Sequence, residues 1–240
     1  MPFNVGGEIW SGAMSTISGR NSGICKRGLR VHMDSGIKES YPGTGTTWYD
    51  LTENENNGTM NGPTFSNGDM NFDGTDDYVN IGAPSSLSIG GAVTVEAWVY
   101  SQEPNDSYSA IFGSGQVADT ANSRYIIAMT STSRVFRFDL SNASFRPEIG
   151  YTFSSYDAWY HIVGTNDGST SKIYVNGSLI NSTSQGGTAA STGDLKIGLH
   201  SHETASSRYW NGNIDEVAVW NDDLTAAEVT ALYNSGVPLA

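Results

Sequence analysis

Asp215 and Glu216 stand side by side in NGNIDEVAVW, a stretch that reads as a strand leaving a Gly turn. Two carboxylates facing each other across a sugar bond are the equipment of glycoside hydrolysis, one as acid and the other as nucleophile or base. On a strand, only alternate residues share a face. Neighbours such as Asp215 and Glu216 therefore point apart, and so do Asp76 and Asp77 in FDGTDDY. Glu96 stands alone in VTVEAWVY, and no Glu-x-Asp-x-Glu run occurs. Nucleophilic catalysis is no better supplied. Cys25 has no histidine close in sequence, no Gly-x-Ser-x-Gly elbow occurs, and Cys25 reads as a buried or docked small side chain. His200 and His202 have a zinc-like spacing if the strand continues that far. They enter the polar stretch HSHETASSRYW, however, and read as solvent-facing loop histidines. His161 in WYHIV reads as a structural strand histidine. The sequence predicts a protein without catalytic residues.

Sugar binding asks for an exposed aromatic beside polar groups. Trp48, Tyr49, Tyr108, Tyr209 and Trp210 occupy loop-like settings, and Trp48, Tyr209 and Trp210 are the first choices for carbohydrate contact. The competing assignment is core or interface, because most of the 6 Trp and 12 Tyr must be buried in a chain of 240 residues.

The formal net charge is −13, which argues against nucleic acid and anionic membranes as partners. No apolar run has the length of a membrane span, so membrane insertion is not expected. MPFNVGGEIWSG lacks the basic and apolar regions of a secretory signal. The single Cys25 excludes an internal disulfide, which fits a reducing compartment of synthesis. Charge is unevenly spread. Residues 1–30 carry Arg20, Lys26, Arg27 and Arg30 against Glu8. Residues 1–28 are Gly-rich and lack a sustained period, which predicts an extended arm preceding a domain over 29–240. A basic, Gly-rich arm on an acidic body suits docking onto a neighbouring subunit, with Phe3, Trp10, Arg20, Lys26, Arg27 and Arg30 as the contacting residues.

The elements positioning these groups are mostly strands. VTVEAWVY alternates Val93, Val95, Ala97 and Val99 with Thr94, Glu96, Trp98 and Tyr100. RVFRFDL sets Phe136, Phe138 and Leu140 against Arg137 and Asp139, and DLKIGLH sets Leu195 and Ile197 against Lys196. The Asn166-Asp167-Gly168 and Asn176-Gly177 sequences predict tight turns between strands. Thr225 and Glu228 form a capping-box pattern, and Gly236 with Pro238 follows, so a short helix closes the chain.

MNFDGTDDYVNIG, VTVEAWVY, WYHIVGTNDGSTSKIYVNGSLI, DLKIGLH and WNGNIDEVAVWNDDLTAAEV, in this order, resemble a laminin-G-like jelly roll of the concanavalin A-like lectin/glucanase superfamily, of the kind found in bacteriophage virion proteins. The likeness runs from about Leu29 to Gly236. It implies an all-β, two-sheet antiparallel jelly-roll sandwich with a short C-terminal helix and an extended N-terminal arm, with Trp98 and Trp159 suited to large core positions. It also implies a structural calcium between the N-terminal segment and the Asp of the penultimate motif, that is, Asp34 and Asp215, with Asp50 as a further supplier of oxygen ligands.

Sites, not folds, decide function. The first expectation is a non-catalytic structural protein of a phage virion: a capsid decoration, tail or fibre component. It would be made in the host cytoplasm and displayed on the virion surface, joined to other virion subunits or to its own copies through the arm. The alternative is a carbohydrate-binding adhesion module that recognises cell-surface glycans, at a cell surface or outside the cell. A polysaccharide hydrolase is the third reading.

Overall fold

The fold is seen in a computed structural model that describes residues 24–103, 108–114, 124–130, 134–141, 148–184, 193–199 and 208–233. The chain begins with β1 (Leu29–Met33), β2 (Thr47–Trp48), β3 (Gly58–Asn61), β4 (Thr64–Ser66), β5 (Asp69–Asp73) and β6 (Tyr78–Gly82). The middle holds β7 (Val93–Ser101), β8 (Tyr108–Ser114), β9 (Arg124–Thr130), β10 (Val135–Ser141), β11 (Glu148–Thr152) and β12 (Ala158–Asn166). Then come β13 (Thr170–Val175), β14 (Ser178–Ser184), β15 (Leu195–Ile197), β16 (Asn211–Trp220) and the helix α1 (Ala226–Leu232).

The strands form two antiparallel sheets. The first runs β14-β13-β12-β7-β16-β5-β4, with β1 also on β16; the second runs β11-β10-β9-β8-β15-β6-β3-β2. The chain crosses repeatedly between the sheets, with β8 to β11 consecutive in the second and β12 to β14 in the first, in the jelly-roll sandwich that the family resemblance implies. The turn chemistry fits its sequence: Asn176 and Gly177 take φ of 49° and 72° between β13 and β14, the left-handed pair a two-residue hairpin requires. Val93, Val95, Ala97 and Val99 face the second sheet, where Phe112, Ile127, Phe136 and Phe138 complete the main core.

A smaller core lies on the opposite side of the first sheet. There, Trp220, Leu224, Val229 and Leu232 pack with Ile24 beneath α1. Thr225 closes a full capping box with Glu228, so the amides of both residues are satisfied. Trp98 belongs to this outer side, stacked on Tyr233 with ring centroids 5.6 Å apart, rather than between the sheets. Trp159, expected in the core, is half-buried and meets Tyr100 edge-on. An aromatic on a two-faced strand can be covered by a helix as well as by a second sheet, and alternation alone does not say which.

One feature of β16 shapes the functional region. Its flank is shared by two strands: β5 pairs with Asn211–Ile214, and β1 pairs with Val217–Trp220. Between them the register against β7 slips, from Asp215 opposite Trp98 to Ala218 opposite Glu96, and Glu216 takes a φ of 49°. This is a β-bulge, the usual device for re-aiming a side chain.

Candidate functional site

The bulge turns Asp215 into the gap between β1 and β5. The carboxylate is fully buried, and its Oδ1 accepts from Ser35 N and Ser35 Oγ, both at 2.8 Å. Ser35 Oγ also donates to Gly68 O at 2.7 Å, tying the segment after β1 to the turn before β5. Asp215 Oδ2 has no hydrogen-bond partner among the described residues. Asp34 is buried beside it, with Oδ1 accepting from Gly36 N at 2.9 Å. Burial first, and the Asp34 charge second, push the Asp215 carboxyl up to about 8. Two buried carboxylates, one with an idle oxygen, need a proton or a cation to balance them. Hard oxygen donors of this kind fit calcium, which when bound would supply that positive charge, with Asp34 and Asp215 as the residues holding it.

Asp50 does not join this pair. Its Oδ1 accepts from His32 N and Thr52 N, and its Oδ2 from Thr52 Oγ1 and Asn56 N, at 2.8 to 3.0 Å. Both oxygens organise the turn after β2 and hold it against β1, so the expected calcium ligand is a turn ligand. Asp76 and Asp77, which strand alternation sets apart, join Asp73 at a turn, where the three carboxylates bring oxygens within 4.8 Å of one another. Bonds within the turn account for much of that approach: Asp73 Oδ1 accepts from Thr75 N, and Asp77 Oδ2 accepts from Asp73 N.

Glu96 has a partner the sequence did not show. His161 on β12 places Nε2 at 2.9 Å from Glu96 Oε1, with both side chains buried under the α1 side of the first sheet. His161 is structural in this sense, pinning β12 to β7. Glu216 is half-buried while Asp215 is fully buried. The two carboxylates are indeed split, by a bulge rather than by simple alternation.

The outer side of the second sheet, away from the main core, carries half-buried side chains in a different arrangement. Tyr78 and Asn80 alternate with the core residues Val79 and Ile81 on β6, Lys196 lies between Leu195 and Ile197 on β15, and Arg137 and Asp139 alternate with Phe136 and Phe138 on β10. Lys196, Gly113, Ile126 and Asp139 lie in one register row across β15, β8, β9 and β10. Tyr108 reaches from β8 across β9, donating from Oη to Asp139 Oδ2 at 3.2 Å. Arg137 Nε sits 3.5 Å from Asp139 Oδ1. Lys196 Nζ lies 5.4 Å from the Tyr78 ring centroid, and Arg208 Cζ lies 5.5 Å from that of Tyr108. The result is a strip of donors, acceptors and aromatic rings across five strands.

The expected sugar platforms fare unevenly. Trp48 and Trp210 are fully buried in the main core, so neither presents a face to a ligand. Tyr209 is half-buried and bridges to Leu199. Only Tyr108, among the aromatics read as loop candidates, stands in the strip. Tyr78, Asn80, Lys196 and Arg208 were not singled out for sugar contact. For Lys196, Arg137 and Asp139 the signal was present, since each occupies the polar phase of an alternating strand.

Of the expected arm residues, Phe3, Trp10 and Arg20 lie outside the described residues, as do His200 and His202. Residues 24–28 are built into the body. Trp220 Nε1 donates to Cys25 O at 2.6 Å, Asn221 N to Gly28 O at 2.8 Å, and Cys25 Sγ to Glu228 Oε1 at 3.4 Å. Arg27 forms ion pairs with Asp222 and Glu228, and Arg30 with Lys26 borders a cleft. Arg27 is thus engaged within the fold, where the sequence reading had it contacting a neighbouring subunit.

A family model described as the concanavalin A-like lectin/glucanases superfamily matches residues 73–230. No curated protein matches the sequence. Among solved structures, domain 4 of the extracellular arabinanase AbnA from Geobacillus stearothermophilus, in complex with arabinotriose, is similar at a TM-score of 0.66 and 16% identity, over 85% of this chain and 98% of that one. Botulinum neurotoxin type C, whose cell entry depends on interaction with two ganglioside molecules, is similar at 0.64 and 16%, over 87% of this chain and 51% of that one. Trypanosoma rangeli sialidase in complex with sialic acid is similar at 0.64 and 16%, over 86% of this chain and 32% of that one. The chain therefore spans about half of the chain in the toxin structure and a third of that in the sialidase structure, and at this identity the likeness is one of fold.

Proposed function

The chain belongs to the concanavalin A-like lectin/glucanase superfamily, and from that premise we propose that it is a non-catalytic carbohydrate-binding module. The observation that carries this reading is the half-buried polar and aromatic strip on the outer side of the second sheet. Sugar recognition needs apolar ring surface beside donors and acceptors of fixed geometry. Tyr78, Tyr108, Asn80, Lys196, Arg137 and Asp139 supply both, and they are held on strands rather than on loops. The arabinotriose, gangliosides and sialic acid associated with the three similar structures agree with it.

The non-catalytic part rests on where the carboxylates lie. Glu96 and Asp215 are buried and engaged with His161 and Ser35, out of reach of a polymer. Asp139 is engaged by Arg137 and Tyr108. Binding to a panel of neutral oligosaccharides, measured by calorimetry, tests the reading. Tyr78→Ala and Lys196→Ala should each weaken the best ligand at least about tenfold, a loss of about 1.4 kcal/mol, at an unchanged melting temperature. Unchanged affinity in both variants, or turnover of any polysaccharide, would overturn it.

The finer proposal is that the module is displayed on a virion or cell surface through residues 1–23. The acidic body, with its net charge of −13, supports a solvent-facing display role. Removing residues 1–23 should leave a folded, glycan-binding module that no longer incorporates; normal incorporation would refute it.

A further inference from the structure

Arg30 is the common wall of two clefts that neither the sheet strip nor the Asp34–Asp215 joint uses. On one side, a cleft of about 360 Å³ is bordered by Lys26, His32, Thr52, Glu53 and Asn54. On the other, a cleft of about 450 Å³ is bordered by Ser85, Ser86, Ser88, Gly91 and Asn221. Each lies within the roughly 300–1,000 Å³ range of small-molecule sites.

Arg30 is held from both ends. Its carbonyl accepts from Thr52 Oγ1 at 3.3 Å, Asn54 Nδ2 at 3.1 Å and Asn56 Nδ2 at 2.8 Å. The Asn221 amide, oriented so that its nitrogen donates to Gly28 O at 3.0 Å, accepts from Arg30 Nε at 3.2 Å and also from Nη2. Among the described residues, that grip uses the Nε/Nη2 edge of the guanidinium and leaves the outer Nη1/Nη2 end for a ligand. A planar fork fixed in advance is suited to a carboxylate, which it can bind through two parallel hydrogen bonds. Lys26 adds positive charge, against Glu53 as the carboxylate among the described lining residues. The second cleft presents serine hydroxyls, groups that match sugar hydroxyls as donors and acceptors. The net charge of −13 disfavours a dense polyanion and leaves room for a ligand with isolated carboxylates.

We propose that Arg30 anchors a second saccharide site, one that takes an acidic oligosaccharide, with a carboxylated sugar on the Arg30 fork and a neighbouring sugar in the serine-lined cleft. The ligand class rests on the carbohydrate-binding reading, but the residues are separate from the strip. The site would give the module selectivity for uronic or sialic acids over neutral glycans, and two contact points on one chain.

Calorimetry on the full chain tests this with digalacturonate, sialyllactose, lactose and sodium acetate. Digalacturonate or sialyllactose should bind at least tenfold more tightly than lactose and acetate, and the tighter of the two identifies the acid. Arg30→Gln should remove this preference. Gly91→Glu provides a variant that keeps the fold, because a Cβ at Gly91 meets nothing within 4 Å. It should weaken the acidic ligand at least tenfold, while Gly91→Gln weakens it less and Tyr78→Ala leaves it unchanged. Equal affinity for lactose, equal affinity for acetate, or indifference to Gly91→Glu would each overturn the proposal. Loss of acidic binding in Tyr78→Ala but not in Gly91→Glu would move the ligand to the strip, preserving the general function and refuting this site.

Discussion

Replacing Asp215 by Asn tests the buried carboxylate pair directly. In the calcium-free fold the Asp215 carboxyl sits near 8, against about 3.8 for an ordinary Asp. Between those values the folded chain holds a proton that the unfolded chain has released, so stability falls as pH rises from about 4 to about 8 and levels off beyond. His32 titrates in the lower part of that range with the opposite sign, so the clean window is pH 6.5 to 8. At about 1.4 kcal/mol per pH unit, 1.5 units of that window amount to about 2 kcal/mol. For a domain of this size, that is on the order of 5 °C in melting temperature. Thermal unfolding in chelator should show this fall for the wild type. Added calcium should remove it by taking the place of the proton, so the calcium-induced rise in melting temperature is larger at pH 8 than at pH 6.5. Asp215→Asn matches the protonated acid in shape and carries no charge to balance, so it should be flat across the window and indifferent to calcium. A wild type whose melting temperature in chelator does not fall from pH 6.5 to 8 would refute the charge argument, whatever calcium does.

Two further outcomes follow from burial. The His32 ring is held down to about 4, by burial first and by Lys26 second, so its stabilising contribution is complete above pH 6.5 and is lost as pH falls toward 4. In the Asp215→Asn background, chemical denaturation should register a loss of up to about 3 kcal/mol over that range, and adding His32→Gln should flatten it. Trp210→Ala should cost about 3–5 kcal/mol of stability, because the indole is fully buried in the main core. Its glycan affinity, measured below the melting temperature, should be unchanged; a selective loss of binding at full stability would restore Trp210 as a sugar platform.

The division between what was legible in the chain and what was not can be traced residue by residue. Alternation in VTVEAWVY, RVFRFDL and DLKIGLH fixed which side chains face the core, because the strand period is two whatever surrounds it. The Asn176-Gly177 turn and the Thr225–Glu228 capping box are local chemistry, and both formed as read. Trp48 and Trp210 were misplaced because burial is decided by what lies opposite, and their partners are distant in sequence. Asp50 looked like a metal ligand because a carboxylate in a polar loop has the same composition whether it binds an ion or four local donors.

The sequence by itself determined the strands, the turns, the terminal helix and the carboxylates they carry. Only the tertiary structure decided what those groups do. β1 and β5 meet on the flank of β16, and that junction buries Asp215 beside Asp34. Strands from opposite ends of the chain assemble the strip from Tyr78 to Arg208 and the clefts on either side of Arg30. The physical reason is that periodicity and turn chemistry act over a few residues. A binding surface is a sum over strands brought together by long-range pairing, and its chemistry exists only once that pairing is made.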